Sequence, residues 1–184
     1  MKDDVKDNVG DLYEQIAGEE STPLGDLLAK IPGLDGYMER GRRREADRIL
    51  RETIAVRLEQ VRLQLSDVHH ALSRDIALAM DHAEALGRAE TRLMGLIGKI
   101  KDAPVGYAGY FDAIKVKEED LARLYLFDSE MLGQVDRIAE DVDTLQMAVN
   151  HGAQIEAAVV QLNDDLAVAN ETFAGRTEVM RGIG

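Results

Sequence analysis

From Leu121 to Val149 an apolar residue returns every three or four positions, through Leu121, Leu124, Met131, Val135, Ile138, Val142, Leu145 and Val149, with Asp128 as the one charged member. Such a stripe runs along one side of an α-helix and has to be covered by other helices. The spacing recurs in Ile54, Leu58, Val61, Leu65, Val68 and Leu72, and again in Ile155, Val159, Leu162, Leu166, Ala169, Phe173, Arg176 and Met180. A further set, Ile76, Ala79, Ala83, Leu86, Leu93, Ile97 and Ile100, marks another helix. Breaks fall at Ser73-Arg74-Asp75, where Ser73 or Asp75 suits a helix N-cap, in the stretch Asp102 to Phe111 with its Pro104, Gly106 and Gly109, and at His151-Gly152.

These signals predict helices over about 35–73, 75–101, 117–150 and 153–181. Short connections favour antiparallel neighbours, so the expected fold is all-α, an elongated antiparallel four-helix coiled-coil bundle over residues 35–182. Upstream, Thr22-Pro23 opens a short amphipathic helix, residues 22–34, whose Leu24, Leu27, Leu28 and Ile31 share a side before Pro32-Gly33 stops it. Residues 1–21 read as an acidic, mobile N-terminal tail. Gly87, Gly95 and Gly98 sit inside the second helix, where glycine costs stability unless something approaches closely.

Composition narrows the classes of function. The chain of 184 residues has no cysteine, which removes disulfides, thiol catalysis and cysteine-type zinc sites and suits the cytoplasm. A net charge of −13 argues against a general nucleic-acid binder. The charge is uneven, however. Residues 36–62 are arginine-rich and residues 117–184 strongly acidic, so the two regions are matched to attract each other within one fold or between copies. No apolar run approaches 18 residues, and the first residues carry no hydrophobic signal core.

Four constellations stand out. Arg40, Arg42, Arg43, Arg44, Arg48 and Arg51 crowd the start of the first long helix and are candidates for a protein carboxylate surface or for phosphate. Acid-before-base spacing, Glu39 to Arg43 and Asp47 to Arg51, fits a solvated helix face better. Tyr107, Tyr110, Phe111, Tyr125 and Phe127 gather most of the aromatic residues near the middle and either cap the open end of the bundle or anchor an interface. Asp128, at a seam position, reads as a buried polar residue that sets register or bonds a loop. His69, His70 and His151 fall near two turns at one end and are the weak metal candidates. The spacing lacks the paired Glu-x-x-His pattern of di-metal bundles, so no metal and no other cofactor is expected. No phosphate-binding glycine loop, nucleophile elbow or zinc-protease motif is present, and no catalytic residue is assigned.

The stretch from Gly106-Tyr107-Ala108-Gly109-Tyr110-Phe111-Asp112-Ala113 through Leu124-Tyr125-Leu126-Phe127-Asp128, together with Arg42-Arg43-Arg44-Glu45-Ala46-Asp47-Arg48, resembles an uncharacterised family of bacterial helical proteins. The two blocks cover about a fifth of the chain. The resemblance implies a bacterial cytoplasmic protein, some relatives being encoded beside membrane-scaffold proteins of the stomatin/prohibitin type. It carries no activity and no catalytic residues.

The reading is therefore a non-enzymatic scaffold or adaptor acting through helix–helix contacts, by self-association or with a protein partner in a membrane-associated bacterial complex. The alternative is a peripheral protein at the inner face of the membrane, with residues 22–34 and Arg40 to Arg51 meeting an anionic surface. A metal-binding helical bundle is the third reading.

Overall fold

The computed structural model describes residues 43–103 and 118–181, with side chains described over 48–103 and 127–175. These residues form four α-helices and no strand: α1 Arg43–Leu72, α2 Ile76–Asp102, α3 Glu118–His151 and α4 Ile155–Arg181. The expected N-terminal tail and the 22–34 helix lie outside the described residues.

Each turn between paired helices has a local cause. Asp75 is the N-cap of α2, in extended conformation, and its carboxylate accepts from the backbone N–H of Ala77 at 3.0 Å and of Leu78 at 3.2 Å. Two of the amides left unpaired by helix geometry are satisfied in this way. The α3–α4 turn closes on Gly152, whose φ of 65° is open to glycine at little cost. The amide of Ala153 reaches back to the carbonyl of Ala148 and that of Gly152 to Val149, the double bond that ends many helices on a left-handed residue. Gln154 also takes a positive φ, 62°, so this turn holds a residue other than glycine in a sparsely populated region.

The core is assembled from the heptad positions. Ile54, Leu58, Val61, Leu65, Val68 and Leu72 of α1 are all buried, as are Met131, Val135, Ile138, Val142 and Leu145 of α3 and Ile155, Val159, Leu162, Leu166 and Ala169 of α4. On α2 the expected stripe is corrected in its first half. Leu86, Ala89, Leu93, Leu96, Ile97 and Ile100 are buried, whereas Ile76 is 75% exposed and Ala83 lies on the surface. Following 3.6 residues per turn, Leu86, Leu93 and Ile100 continue into Leu96 and Ala89, and this stripe leaves Ile76 and Ala83 on another face of the helix.

The helices form a four-sided ring in which α1 packs on α2 and α3, and α4 packs on α2 and α3. Side-chain contacts give their directions. Between α1 and α3, Arg57 bonds Asp136 and Gln64 bonds Asp143, both at a separation of 79 residues, so the two helices advance together. Between α2 and α4, Arg92 reaches Asn163 and Lys99 reaches Asn170, both at a separation of 71. From α1 to α2 the separation shrinks instead, from 52 at Arg51 and Ala103 to 42 at Glu59 and Lys101, as it must in an antiparallel hairpin. Like-directed helices are thus neighbours on two of the four sides, where short connections alone favoured antiparallel neighbours. Heptad-spaced polar pairs mark the register on both of those sides.

Candidate functional site

Of the arginines of the first block, the two whose side chains are described, Arg48 and Arg51, do not share one surface. Arg40 and Arg42 lie outside the described residues, as do the side chains of Arg43 and Arg44. Arg48 is exposed and pairs with Glu52 one turn on, at 2.8 Å. Arg51 is buried, and its Nη1 donates to the carbonyl of Ala103 at 2.6 Å. The last carbonyls of a helix lack intrahelical partners and carry partial negative charge, so a guanidinium at the end of α2 satisfies one of them. The expectation that Arg51 shares a solvent-facing arc with Arg48 is corrected. It lies one turn before Ala55 and two before Leu58, on the side of α1 that the other helices cover.

Of the aromatic group, Tyr107, Tyr110 and Phe111 fall outside the described residues, and so does the side chain of Tyr125. Phe127 is buried in the core cluster, and its neighbour Asp128 is only 2% exposed. The histidines remain apart from any shared chemistry. His70 and His151 are exposed, and Nε2 of His69 is buried 3.9 Å from Glu90, too far for a hydrogen bond. Among the described residues no group of three or more His, Cys, Asp or Glu is placed to hold a metal ion.

Two polar arrangements escaped the sequence reading. Asn163 and Asn170 of α4, one heptad apart, form a repeated clamp onto α2. The Asn163 amide donates to the carbonyl of Ala85 at 2.9 Å and to that of Val159 at 3.0 Å, while its oxygen accepts from Arg92 at 3.0 Å. Arg92 also donates to the backbone carbonyl of Asn163. Seven residues on, Asn170 donates to the carbonyls of Arg92 and Leu166 and accepts from Lys99 at 2.9 Å. Each rung ties the helices together through both a backbone acceptor and a cation. The sequence signal was available: two asparagines seven apart beside the stripe of α4, matched by Arg92 and Lys99 seven apart on α2.

The second arrangement is a pair of like charges. Burial first, then the adjacent carboxyl of Asp165, push Asp141 up to about 7. Its Oδ2 is buried without a partner, and the amide of Gln161 supports Asp165 at 3.0 Å. Such a pair shares a proton readily, but no nucleophile or base completes a catalytic set around it among the described residues. Across the α1–α2 hairpin the opposite holds. Glu59 accepts from Lys101 at 2.7 Å and from Arg62 at 2.8 Å, and these bonds hold its carboxyl below the usual range.

No protein-family model, curated protein or solved structure matches this chain.

What the geometry offers to a ligand is its outer surface. Val56 and Leu63, one heptad apart on α1, are each more than half exposed, on the side of the helix away from Leu58 and Leu65. On α2, Met80 is 75% and Met94 55% exposed. Gly87, between them, and Gly95 and Gly98 beyond would each receive a β-carbon with nothing within 4 Å. Glycine inside a helix costs up to about 1 kcal/mol relative to alanine, and packing within this bundle does not require it at these three positions. No described helix is long and apolar enough to cross a membrane.

Proposed function

We propose that this chain is a non-enzymatic scaffold or adaptor that works through helix–helix contacts on the outside of an elongated coiled-coil bundle. The observation that carries the reading is the division of apolar residues. The inward stripes are covered by the chain's own helices, yet α1 and α2 each present apolar residues to solvent on one side, Val56 with Leu63 one heptad apart and Met80 with Met94 two heptads apart. Scattered single exposures are ordinary, but repeats at the helical period set such residues on one side of each helix, where another helix can pack. The asparagine rungs and the capped turns hold these positions on a rigid frame, as an interaction platform needs.

The membrane-surface alternative draws on residues 22–34, outside the described residues, and on arginines of which Arg48 and Arg51 already bond within the chain. The described surface adds no observation in its favour. Site-specific photo-crosslinking from Val56, Leu63, Met80 and Met94 in living cells tests the scaffold reading. Adducts with a helical protein, or with a second copy, are expected from these positions and absent from Ser66 and Asp164 on the polar surface. Lack of any adduct from all four would sink the proposal.

A further inference from the structure

We infer that the two antiparallel sides of the bundle are held closed by protons, one on His69 between α1 and α2 and one on Asp141 between α3 and α4. As pH rises these sides part, while the two parallel sides stay joined. This regulation goes beyond the scaffold reading and stands without it.

Among the described residues three buried side-chain atoms have no hydrogen-bond partner: Nε2 of His69, Oδ2 of Asp141 and Oε1 of Gln134. The first two belong to groups that gain and lose protons, and each meets a carboxylate of the neighbouring antiparallel helix. Glu90 of α2 lies 3.9 Å from the His69 nitrogen, and Asp165 of α4 lies against Asp141. At both places a proton turns a poor contact into a good one. On His69 it makes an imidazolium for Glu90 to attract, and on Asp141 it replaces the repulsion of two carboxylates with a hydrogen bond between them. Without it a covered polar atom is left unpaired. Burial and Asp165 push Asp141 up to about 7, the range in which imidazoles ordinarily titrate.

The surrounding charges supply no substitute. Around Asp141, Glu140 of α3 adds to the repulsion, and Arg137 opposes it as the weakest of these influences. On α4, Asp164 is exposed. By the 79-residue offset of α1 and α3, Asp141 is level with Arg62, which is taken by Glu59, and Gln64 nearby is taken by Asp143. Around His69, Asp67 and His70 of α1 are exposed, Arg88 of α2 is taken by Glu84, and α3 presents Ala148 at this level with exposed His151 one turn on.

The parallel sides are tied differently. Arg57 with Asp136 and Gln64 with Asp143 join α1 to α3, and Asn163 and Asn170 with Arg92 and Lys99 join α2 to α4. Amides do not titrate, and arginine, lysine and aspartate side chains ordinarily keep their charge from about pH 5 to pH 8. Glu59 with Lys101 likewise keeps one end of the α1–α2 side tied, which confines the parting there to the stretch nearer the turn.

The chain has no cysteine, so spin labels on pairs of engineered cysteines report distances within the full chain. Labels at Ser66 and Thr91 span the α1–α2 side, at Thr144 and Gln161 the α3–α4 side, and at Gln60 and Ala139 the α1–α3 side. From pH 5 to pH 8 the first two distance distributions are expected to shift outward and broaden, and the third to stay unchanged. His69→Gln should abolish the response of the α1–α2 pair, Asp141→Asn that of the α3–α4 pair, and the double variant both. The labelled chain without these substitutions already decides the first point, even if a variant folds poorly. Distances that do not change with pH, a response on one antiparallel side alone, equal widening between α1 and α3, or a full response in the double variant would each overturn the inference.

Discussion

The two sides on which like-directed helices meet are built from different materials. Between α2 and α4, Asn163 and Asn170 bond backbone carbonyls of both helices and take a cation apiece, with Asn163 itself buried. Between α1 and α3 the pairs are side chain to side chain, Arg57 with Asp136 and Gln64 with Asp143, in contact with water. Both repeat at seven residues and both therefore fix register. They differ in what is lost when they break. A buried amide deprived of its partners leaves unsatisfied groups that water cannot reach, whereas an exposed ion pair exchanges one solvated state for another. The α3–α4 side is of a third kind, a half-buried pair of carboxyls that favours a proton.

The largest expected effect follows from that contrast. Asn163→Ala should destabilise the fold by about 2–3 kcal/mol, because Arg92 and the carbonyl of Ala85 both lose a partner in a covered site. Chemical denaturation checks it, and a loss below about 0.5 kcal/mol would erase the distinction between the two sides.

A smaller and oppositely signed effect belongs to the acidic pair. The folded value of Asp141, about 7, lies above its usual 3.8, so the native state binds more protons than the unfolded chain between those limits. Stability from this group is complete below about pH 4 and is lost as pH rises to about 7. Asp165→Asn should therefore stabilise the protein at pH 8, by about 1 kcal/mol after solvent screening, and bring no such gain at pH 4. Melting curves at the two pH values decide it; equal shifts at both would show that the two carboxyls do not oppose each other.

The smallest effect is expected on the α1–α3 side. A double-mutant cycle on Arg57→Ala and Asp136→Ala should give a coupling of about 0.2–1 kcal/mol that shrinks in high salt. A coupling as large as the loss at Asn163, insensitive to salt, would mean that both sides obey one rule.

Much of the fold was legible because its signals are local. The core stripes of α1, α3 and α4 follow from 3.6 residues per turn, and the N-cap at Asp75 and the turn at Gly152 from side-chain reach and backbone sterics. The first half of α2 was misread for an equally physical reason. That helix carries two apolar stripes, and spacing alone cannot say which of them faces inward. Arg51 was read as part of a charged surface because sequence spacing places it near Arg48, while the acceptor that holds it, the carbonyl of Ala103, is 52 residues away.

The sequence by itself determined that the described segments are helices and where the turns beside Asp75 and Gly152 fall, since hydrogen bonds, caps and hydrophobic periodicity act over a few residues. Only the tertiary structure decided which helices became neighbours, that Asn163 clamps α2, that Asp141 meets Asp165, and that Ile76, Met80 and Met94 were left facing water. Those outcomes depend on pairings between residues far apart in the chain, whose energies exist only once the helices have been brought side by side.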